Sequence, residues 1–385
     1  MHVVRWAAEG LAWGVIVVAA ALLVTQAIGW CGSRFVAVGQ ALTVVLGGLG
    51  VLVAICGRAW SAWPITIAAL AVVAGSLVVI LPAVRRQGEP GTGSRLSVFH
   101  ANLLYENTRR PAALAAAVLG VDADILALSE LHPAHAAALL ADPGAARYPH
   151  RFDRTATNAD GMAVWSRYPL ADVEWVAMEV RPAVIATVCL PGGDAVRLVL
   201  AHPNPPTTRR GLRRWEPSMD AIHEAASAPG PPTMIVADLN AARWHPPLRR
   251  LLARGWRDVH EAAGRGLSVS WPTAGLWPIP FVRLDHALVG DGLDVVAVRD
   301  LTVPGSDHRG FVATVAVTAA EQPERCRVVA SAASGNVGSR AAPDRASCAH
   351  GDQSPGVGRN RLRGPAQPRG VLREADGLEG HVRFG

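Results

Sequence analysis

TMIVADLN, residues 233–240, is a short apolar run of strand length that stops on an aspartate and an asparagine. The same signature recurs on both sides of it. LSVFHANLL (96–104) carries Asn102, ADILALSE (123–130) ends on Glu130, and VRLVLAH (196–202) ends on His202. RLDHALV (283–289) holds Asp285, and GSDHRG (305–310) places Asp307 and His308 just before VATVAVT (312–318). GMAVWS (161–166) and AVIATVCL (183–190) are further strand-like runs, punctuated by Pro, Gly and Asp. Helical patterns fit 110–121, 133–141, 208–226 and 245–255. Many strands with fewer helices predict an α+β domain of two sheets packed face to face with helices outside.

The polar residues stand at the ends of the apolar runs, so one edge of such a sandwich can collect them although they are far apart in sequence. Converging carboxylates are costly unless a cation neutralises them. Asp, Glu and Asn oxygens with few His and no Cys suit a hard ion, Mg²⁺ or Mn²⁺, rather than Zn²⁺. The five cysteines, Cys31, Cys56, Cys189, Cys326 and Cys348, form no CxxC pair and no zinc-type spacing, and they are expected to be unpaired.

In order, the chain shows Asn102, DILALSE (124–130), GMAVWSRYPL (161–170), AHPNPP (201–206), VADLNA (236–241), RLDHALV and GSDHRG. This series, spanning about residues 96–318, resembles the endonuclease/exonuclease/phosphatase (DNase I-like) superfamily. The resemblance implies a four-layer α/β/β/α sandwich and metal-dependent hydrolysis of a phosphate-containing substrate. It implies roles residue by residue. Glu130 would bind the metal, with Asp307 as a second or water-mediated ligand and Asn102 orienting the ion and the phosphate. Asp238 would orient or deprotonate the attacking water, and Asn240 would hydrogen-bond the phosphoryl group. Asp285 would pair with His308 against a phosphate oxygen, and His202 would supply a second imidazole. The chain departs from the familiar pattern at Ala237, where Gly is usual, and at Leu239, where an aromatic is common.

Half the chain is hydrophobic and only 18% is charged, and the apolar excess sits at the N-terminus. Three charge-free stretches, 10–33, 35–57 and 59–84, are separated by Arg34 and Arg58 and closed by Arg85 and Arg86. Each reaches the roughly 20 apolar residues needed to cross a bilayer core. The expected organisation is therefore three transmembrane helices over 1–86, a linker over 87–95, the catalytic domain over 96–319 and a disordered tail over 320–385. Three spans put the N-terminus and the catalytic domain on opposite sides. His2, Arg5 and Arg58 flank one face and Arg34, Arg85 and Arg86 the other, a near balance that leans toward a cytoplasmic domain. Three N-terminal spans followed by this domain also resemble the membrane-anchored VanJ-type actinobacterial proteins associated with teicoplanin resistance. That resemblance implies an extracytoplasmic domain acting on undecaprenyl diphosphate.

Every basic side chain is arginine, with a net charge of +6. Such a charge permits an anionic partner without demanding one. Arg209, Arg210, Arg213 and Arg214, at the start of a helical pattern beyond His202, are candidates for a second phosphate or anionic headgroups. His132 and His135 read as exposed, His286 as structural, and Trp271 and Trp277 as candidate walls of a groove. Three functions follow: a lipid-linked phosphate or diphosphate phosphoesterase, a membrane-tethered nuclease, and a non-catalytic membrane protein. Apart from 209–214, no long basic stretch within 96–318 favours nucleic acid. The complete polar set argues against loss of catalysis.

Overall fold

The computed structural model describes residues 2–85, 91, 93–178, 181–275, 278–318 and 326. Four helices open the chain: α1 (His2–Ala27), α2 (Arg34–Ala41), α3 (Thr43–Ala59) and α4 (Trp63–Val84). Two stretches, Val3–Ala27 and Trp63–Val84, are long and apolar enough to cross a membrane. The second expected span, 35–57, is not one straight helix, because α2 and α3 meet at 68°. The cause is a knot of polar side chains inside the apolar run. Gln40 donates to Thr25 Oγ1 and to the Trp30 carbonyl, both at 3.0 Å, and Gln26 donates to Thr43 Oγ1 at 2.6 Å. The carbonyls of Ala37 and Ala41 accept from His245 Nε2 (2.7 Å) and Trp244 Nε1 (3.2 Å) of the following domain. Such partners satisfy backbone groups that a bend releases.

After the helices come β1 (Ser94–Asn102), α5 (Pro111–Gly120), β2 (Ile125–Ser129), α6 (Pro133–Ala141), β3 (His150–Arg154), β4 (Met162–Ser166), β5 (Leu170–Met178), β6 (Arg181–Cys189) and β7 (Ala195–Ala201). They are followed by α7 (Arg209–Ala226), β8 (Thr233–Asp238), α8 (Pro246–Ala253), β9 (Arg257–Asp258), α9 (Val259–Ala262), β10 (Asp285–Val289), β11 (Leu293–Thr302) and β12 (Arg309–Val317). One sheet has the order β11-β12-β1-β2-β4-β3 and the other β5-β6-β7-β8-β10-β9. Successive residues serve opposite faces. Val98 and Ile125 enter the core between the sheets, whereas Phe99 and Leu126 meet Leu114 and Val118 of α5. Likewise Met234 and Val236 face the inter-sheet core, and Ile235 faces Trp215 of α7 and Leu248 of α8. Burial of both faces is why these strands are continuously apolar. Each fully buried Val, Leu, Ile, Phe or Met contributes roughly 1.5–3 kcal/mol.

The GMAVWSRYPL segment crosses between layers, since β4 lies in the first sheet and β5 in the second. Arg167 in the crossing pairs with Asp122 at 2.6 Å. A side chain at Gly161 would collide with the Leu131 carbonyl, so glycine is required there. Two expectations are corrected. Cys189 and Cys326 form a disulfide across 137 residues, leaving Cys31 and Cys56 as the free thiols among the described residues. His135 is fully buried, and with His132 it forms a reciprocal cap on α6. Burial lowers the pKa of His135. Of the expected linker, residues 91 and 93–95 are described, and Ser94 and Arg95 already belong to β1, whereas the expected tail apart from Cys326, and Trp277, lie outside the described residues.

Candidate active site

The parallel pairs β1–β2 and β7–β8 end together, with Asn102 opposite Ser129 and Ala201 opposite Ala237. The antiparallel strands β10 and β12 begin at that same edge. Asp285 and His308 therefore join the site from strand starts, not strand ends, and Asp285 stands in register with Asp238. At the edge, Glu130 (φ 57°) and Asn240 (φ 49°) take left-handed backbone conformations. These are uncommon for non-glycine residues and cost on the order of 1–3 kcal/mol each. Local hydrogen bonds hold them. Tyr105 N donates to Glu130 Oε2 at 3.0 Å, Asn240 N donates to Asp238 Oδ1 at 3.0 Å, and Asn240 Nδ2 donates to the Pro203 carbonyl at 3.0 Å.

Asn102 ties the acidic groups together. Its Nδ2 donates to Glu130 Oε1 at 2.9 Å and to Asp238 Oδ2 at 3.1 Å. Its oxygen accepts the Leu104 N–H at 2.9 Å, which fixes the amide orientation. In this arrangement Asn102 is a donor between two carboxylates, and its oxygen is already taken. Ser306 Oγ fastens the strand end from the other side by donating to the Asn102 carbonyl at 2.7 Å.

His308 lies between the two in-register aspartates. Nδ1 is 2.7 Å from Asp285 Oδ2, and Nε2 is 3.7 Å from Asp238 Oδ2. Burial alone would strip its proton, but Asp285 and Asp238 more than offset that and push its pKa up to about 10. Asp285 is fully buried, yet His308 and His100 hold its carboxyl well below the usual range. His100 Nδ1 faces the Ala127 carbonyl at 3.0 Å and Nε2 faces Asp285 Oδ1 at 3.4 Å. Asp238 behaves oppositely. Burial raises it to about 6, with Asp285 adding to the shift and His308 opposing it.

His202 closes the group, with Nε2 3.4 Å from Asp238 Oδ2 and 3.7 Å from Glu130 Oε1. Burial and the adjacent Arg181 charge keep it neutral, far below its usual pKa. Arg181 Nη1 is 3.0 Å from His202 Nδ1 and 3.3 Å from Nε2. Arg181 Nε is 3.6 Å from Asp160 Oδ1. Sequence reading missed Arg181, Asp160, Tyr105 and His100. Only His100 left a signal, because it shares a strand face with Asn102 two residues on.

Asp307 sits at the rim, where Oδ2 accepts Trp271 Nε1 at 3.0 Å and Oδ1 is 4.0 Å from His308 Nε2. Arg209, Arg210 and Arg213 are exposed and Arg214 half-buried on the first turns of α7. Among the described hydrogen bonds and ion pairs, none joins these arginines to the site. His286 points away from it, with Nδ1 2.7 Å from Asp258 Oδ2 and Nε2 2.8 Å from the Ala241 carbonyl.

The donor set fits a hard divalent cation. Buried carboxylate oxygens of Glu130 and Asp238 converge with an uncharged imidazole nitrogen, an arrangement that repels itself unless a cation or protons intervene. Asp238, Asp285 and His308 also offer ligand atoms within 4.8 Å of one another. In that trio, however, His308 is held protonated by Asp285, so its role is that of a cation itself. The Glu130 side of Asp238 is the better metal seat.

A model of the endonuclease/exonuclease/phosphatase family matches residues 99–308. No curated protein matches the chain. Among solved structures, TDP2 of Caenorhabditis elegans is 22% identical, covering 60% of this chain and 78% of that one, with a TM-score of 0.48. An endonuclease/exonuclease/phosphatase protein of Beutenbergia cavernae is 20% identical, with coverages of 59% and 72% and a TM-score of 0.47. The human nocturnin catalytic domain, solved with a bound sulfate, is 18% identical, with coverages of 62% and 99% and a TM-score of 0.44.

Proposed function

Because the chain belongs to the endonuclease/exonuclease/phosphatase family of metal-dependent phosphoesterases, we propose that it hydrolyses a lipid-linked phosphate ester or diphosphate at a membrane surface. One observation carries this reading. The loop that follows the catalytic strand β8 packs against the ends of the apolar helices. Ala242 and Trp244, just beyond Asn240, cluster with Ala41, Val79, Ile80 and Trp271. The cleft edge is thus the edge seated on the N-terminal helices. A substrate anchored in the bilayer is delivered there, whereas a soluble substrate gains nothing from the arrangement.

Glu130, with Asp238 beside it and Asp307 at the rim, would hold Mg²⁺ or Mn²⁺. Such an ion supplies charge neutralisation at the phosphoryl oxygens and the leaving oxygen. The remaining work falls to the side chains. Asp238, ionised at neutral pH, accepts a proton from the attacking water as the water oxygen bonds to phosphorus and the P–O bond to the leaving group breaks. The Asn240 amide orients the phosphoryl group. The His308 imidazolium, charged by Asp285, faces a non-bridging oxygen. Arg181 and His202 stand opposite as the second polar wall. Positioning and charge dominate phosphoryl transfer, which matches a site rich in fixed charges and poor in nucleophiles.

Membrane topology follows the same reading: α1, the bent α2–α3 pair and α4 make three crossings. The Cys189–Cys326 disulfide supports an extracytoplasmic catalytic domain, since such bonds persist in oxidising compartments. It outweighs the near-balanced arginine count. The VanJ-type resemblance points the same way and makes undecaprenyl diphosphate the first substrate to try. Arg213 and Arg214 lie one turn or less from Glu216, which accepts from Cys31 in the connection between α1 and α2, so they are placed for anionic headgroups. The test is a substrate panel for the purified full chain with Mg²⁺: polyprenyl diphosphate, bis-p-nitrophenyl phosphate and plasmid DNA. Metal-dependent phosphate release from the lipid is the expected result. Efficient DNA cleavage without lipid turnover would overturn the reading.

A further inference from the structure

Four large hydrophobic side chains are exposed on the described part of the catalytic domain: Leu140, Leu267, Ile279 and Phe281. Single exposed apolar residues are ordinary. Three of these four, however, fall in one excursion between α9 and β10. Its first limb lies on the end of α4, for a side chain at Gly266 would collide with the Ala83 carbonyl. Its base is pinned by Trp271, which pairs with Val282 in an isolated bridge and shares a cluster with Val79 and Ile80 of α4.

We propose that the described limbs of this excursion, residues 265–275 and 278–284, form an interfacial wedge whose occupant is the lipid bilayer. Leu267 and Ile279 sit in the headgroup–acyl boundary beside α4, and the wedge forms the wall along which a lipid phosphate enters the cleft. The partner is a membrane surface because the first limb, next to exposed Leu267, and Trp271 at the base both pack on α4, the apolar helix that ends there. Apolar side chains reach roughly 5–10 Å into that boundary, about the depth at which a terminal helical turn lies. The wedge also touches the site. The Phe281 and Trp271 rings meet edge-on, 5.8 Å apart, and Trp271 donates to Asp307. Thr273 N donates to the Asp307 carbonyl at 2.8 Å, and Thr273 Oγ1 to the Ser306 carbonyl at 2.9 Å. Contact with lipid is thereby transmitted to the segment that carries Asp307 and His308. The proposal rests on the reading of the cleft as lipid-facing, but it has a readout of its own.

That readout is photo-crosslinking of the full chain in phosphatidylcholine/phosphatidylglycerol nanodiscs, with benzoylphenylalanine replacing Ile279 or, in a second protein, Leu140 on α6. A lipid mass adduct at position 279 and none at 140 is the expected result. No adduct at 279, or equal adducts at both, overturns the wedge whatever the substrate proves to be. L267D/I279D then measures its use. Hydrolysis of soluble bis-p-nitrophenyl phosphate stays within about twofold, and turnover of a nanodisc-embedded polyprenyl diphosphate falls at least about tenfold. Equal effects on both substrates contradict the wedge. Failure of the unaltered protein to hydrolyse the lipid would instead contradict the proposed function and leave the crosslinking result to stand alone.

Discussion

Asp238 and Asp285 face each other in register across β8 and β10, two buried carboxylates with opposite pKa shifts. Like charges placed opposite in a ladder are unfavourable. His308 resolves the conflict by binding Asp285 tightly at 2.7 Å and leaving Asp238 at 3.7 Å. One aspartate thus becomes a permanent anion and the other a group able to exchange a proton near neutrality.

Replacing Asp285 with Asn removes the main support for the His308 proton. The imidazolium is held to about pH 10 in the native protein. Without Asp285 its folded pKa falls, so the charged form is lost at lower pH. The alkaline limb of the kcat profile should move down toward neutrality. At pH 8, kcat should drop by roughly 10²–10³, as for loss of one electrostatic stabiliser. An alkaline limb that stays in place would show that the His308 charge does not matter.

Asn102→Ala should leave Glu130 and Asp238 without their common donor. Outer partners of ligating groups typically contribute 10–100-fold in metal affinity. The Mg²⁺ concentration for half-maximal activity should rise by about that factor, with a smaller effect at saturating metal. A fall in kcat with unchanged metal dependence would assign Asn102 to the phosphate instead.

Away from the cleft, Asp258 is buried against Arg283 Nη1 (2.8 and 3.1 Å) and His286 Nδ1 (2.7 Å). Burial opposes ionisation, but Arg283 and His286 hold Asp258 well below the usual range. A depressed folded pKa stabilises above the unfolded value of about 3.9 and is lost as pH falls through the folded value. Asp258→Asn strands Arg283 and should destabilise the domain by about 3–5 kcal/mol at pH 7. The gap from the native protein should narrow below about pH 4. Thermal unfolding of the full chain in detergent at both pH values measures it. A gap independent of pH would mean that Asp258 is not ionised.

Among the described residues the disulfide leaves Cys31 and Cys56 as thiols. Alkylation of the denatured, unreduced protein should label Cys31 and Cys56 but neither Cys189 nor Cys326, and prior reduction should bring the total to all five cysteines. Cys189→Ser should cost about 2–5 kcal/mol. Five groups without reduction would remove the support for an oxidising compartment.

Much of the site was legible because its signal is local. Glu130, His202 and Asp238 each follow an apolar run, and that pattern marks a strand edge wherever the sheet lies. Arg181 had no such mark. A lone arginine before an apolar run looks like a solvated strand start, and only the antiparallel pairing of β6 with β7 carries it to His202. The disulfide spans 137 residues, and spacing of that length encodes no partner. The bend between α2 and α3 was marked by Gln40 and Thr43 inside a charge-free stretch, but counting charges passes over uncharged polar residues. The cross-strand pairing of Asp238 with Asp285 required the direction of β10, which no motif states.

The most direct test places the full chain in nanodiscs containing a polyprenyl diphosphate and follows release of inorganic phosphate. The account predicts release that needs Mg²⁺, stops with EDTA and disappears in Glu130→Ala and His308→Ala while both variants keep the native thermal transition. Undiminished release from folded Glu130→Ala, or none from the native protein at any divalent metal, would contradict it.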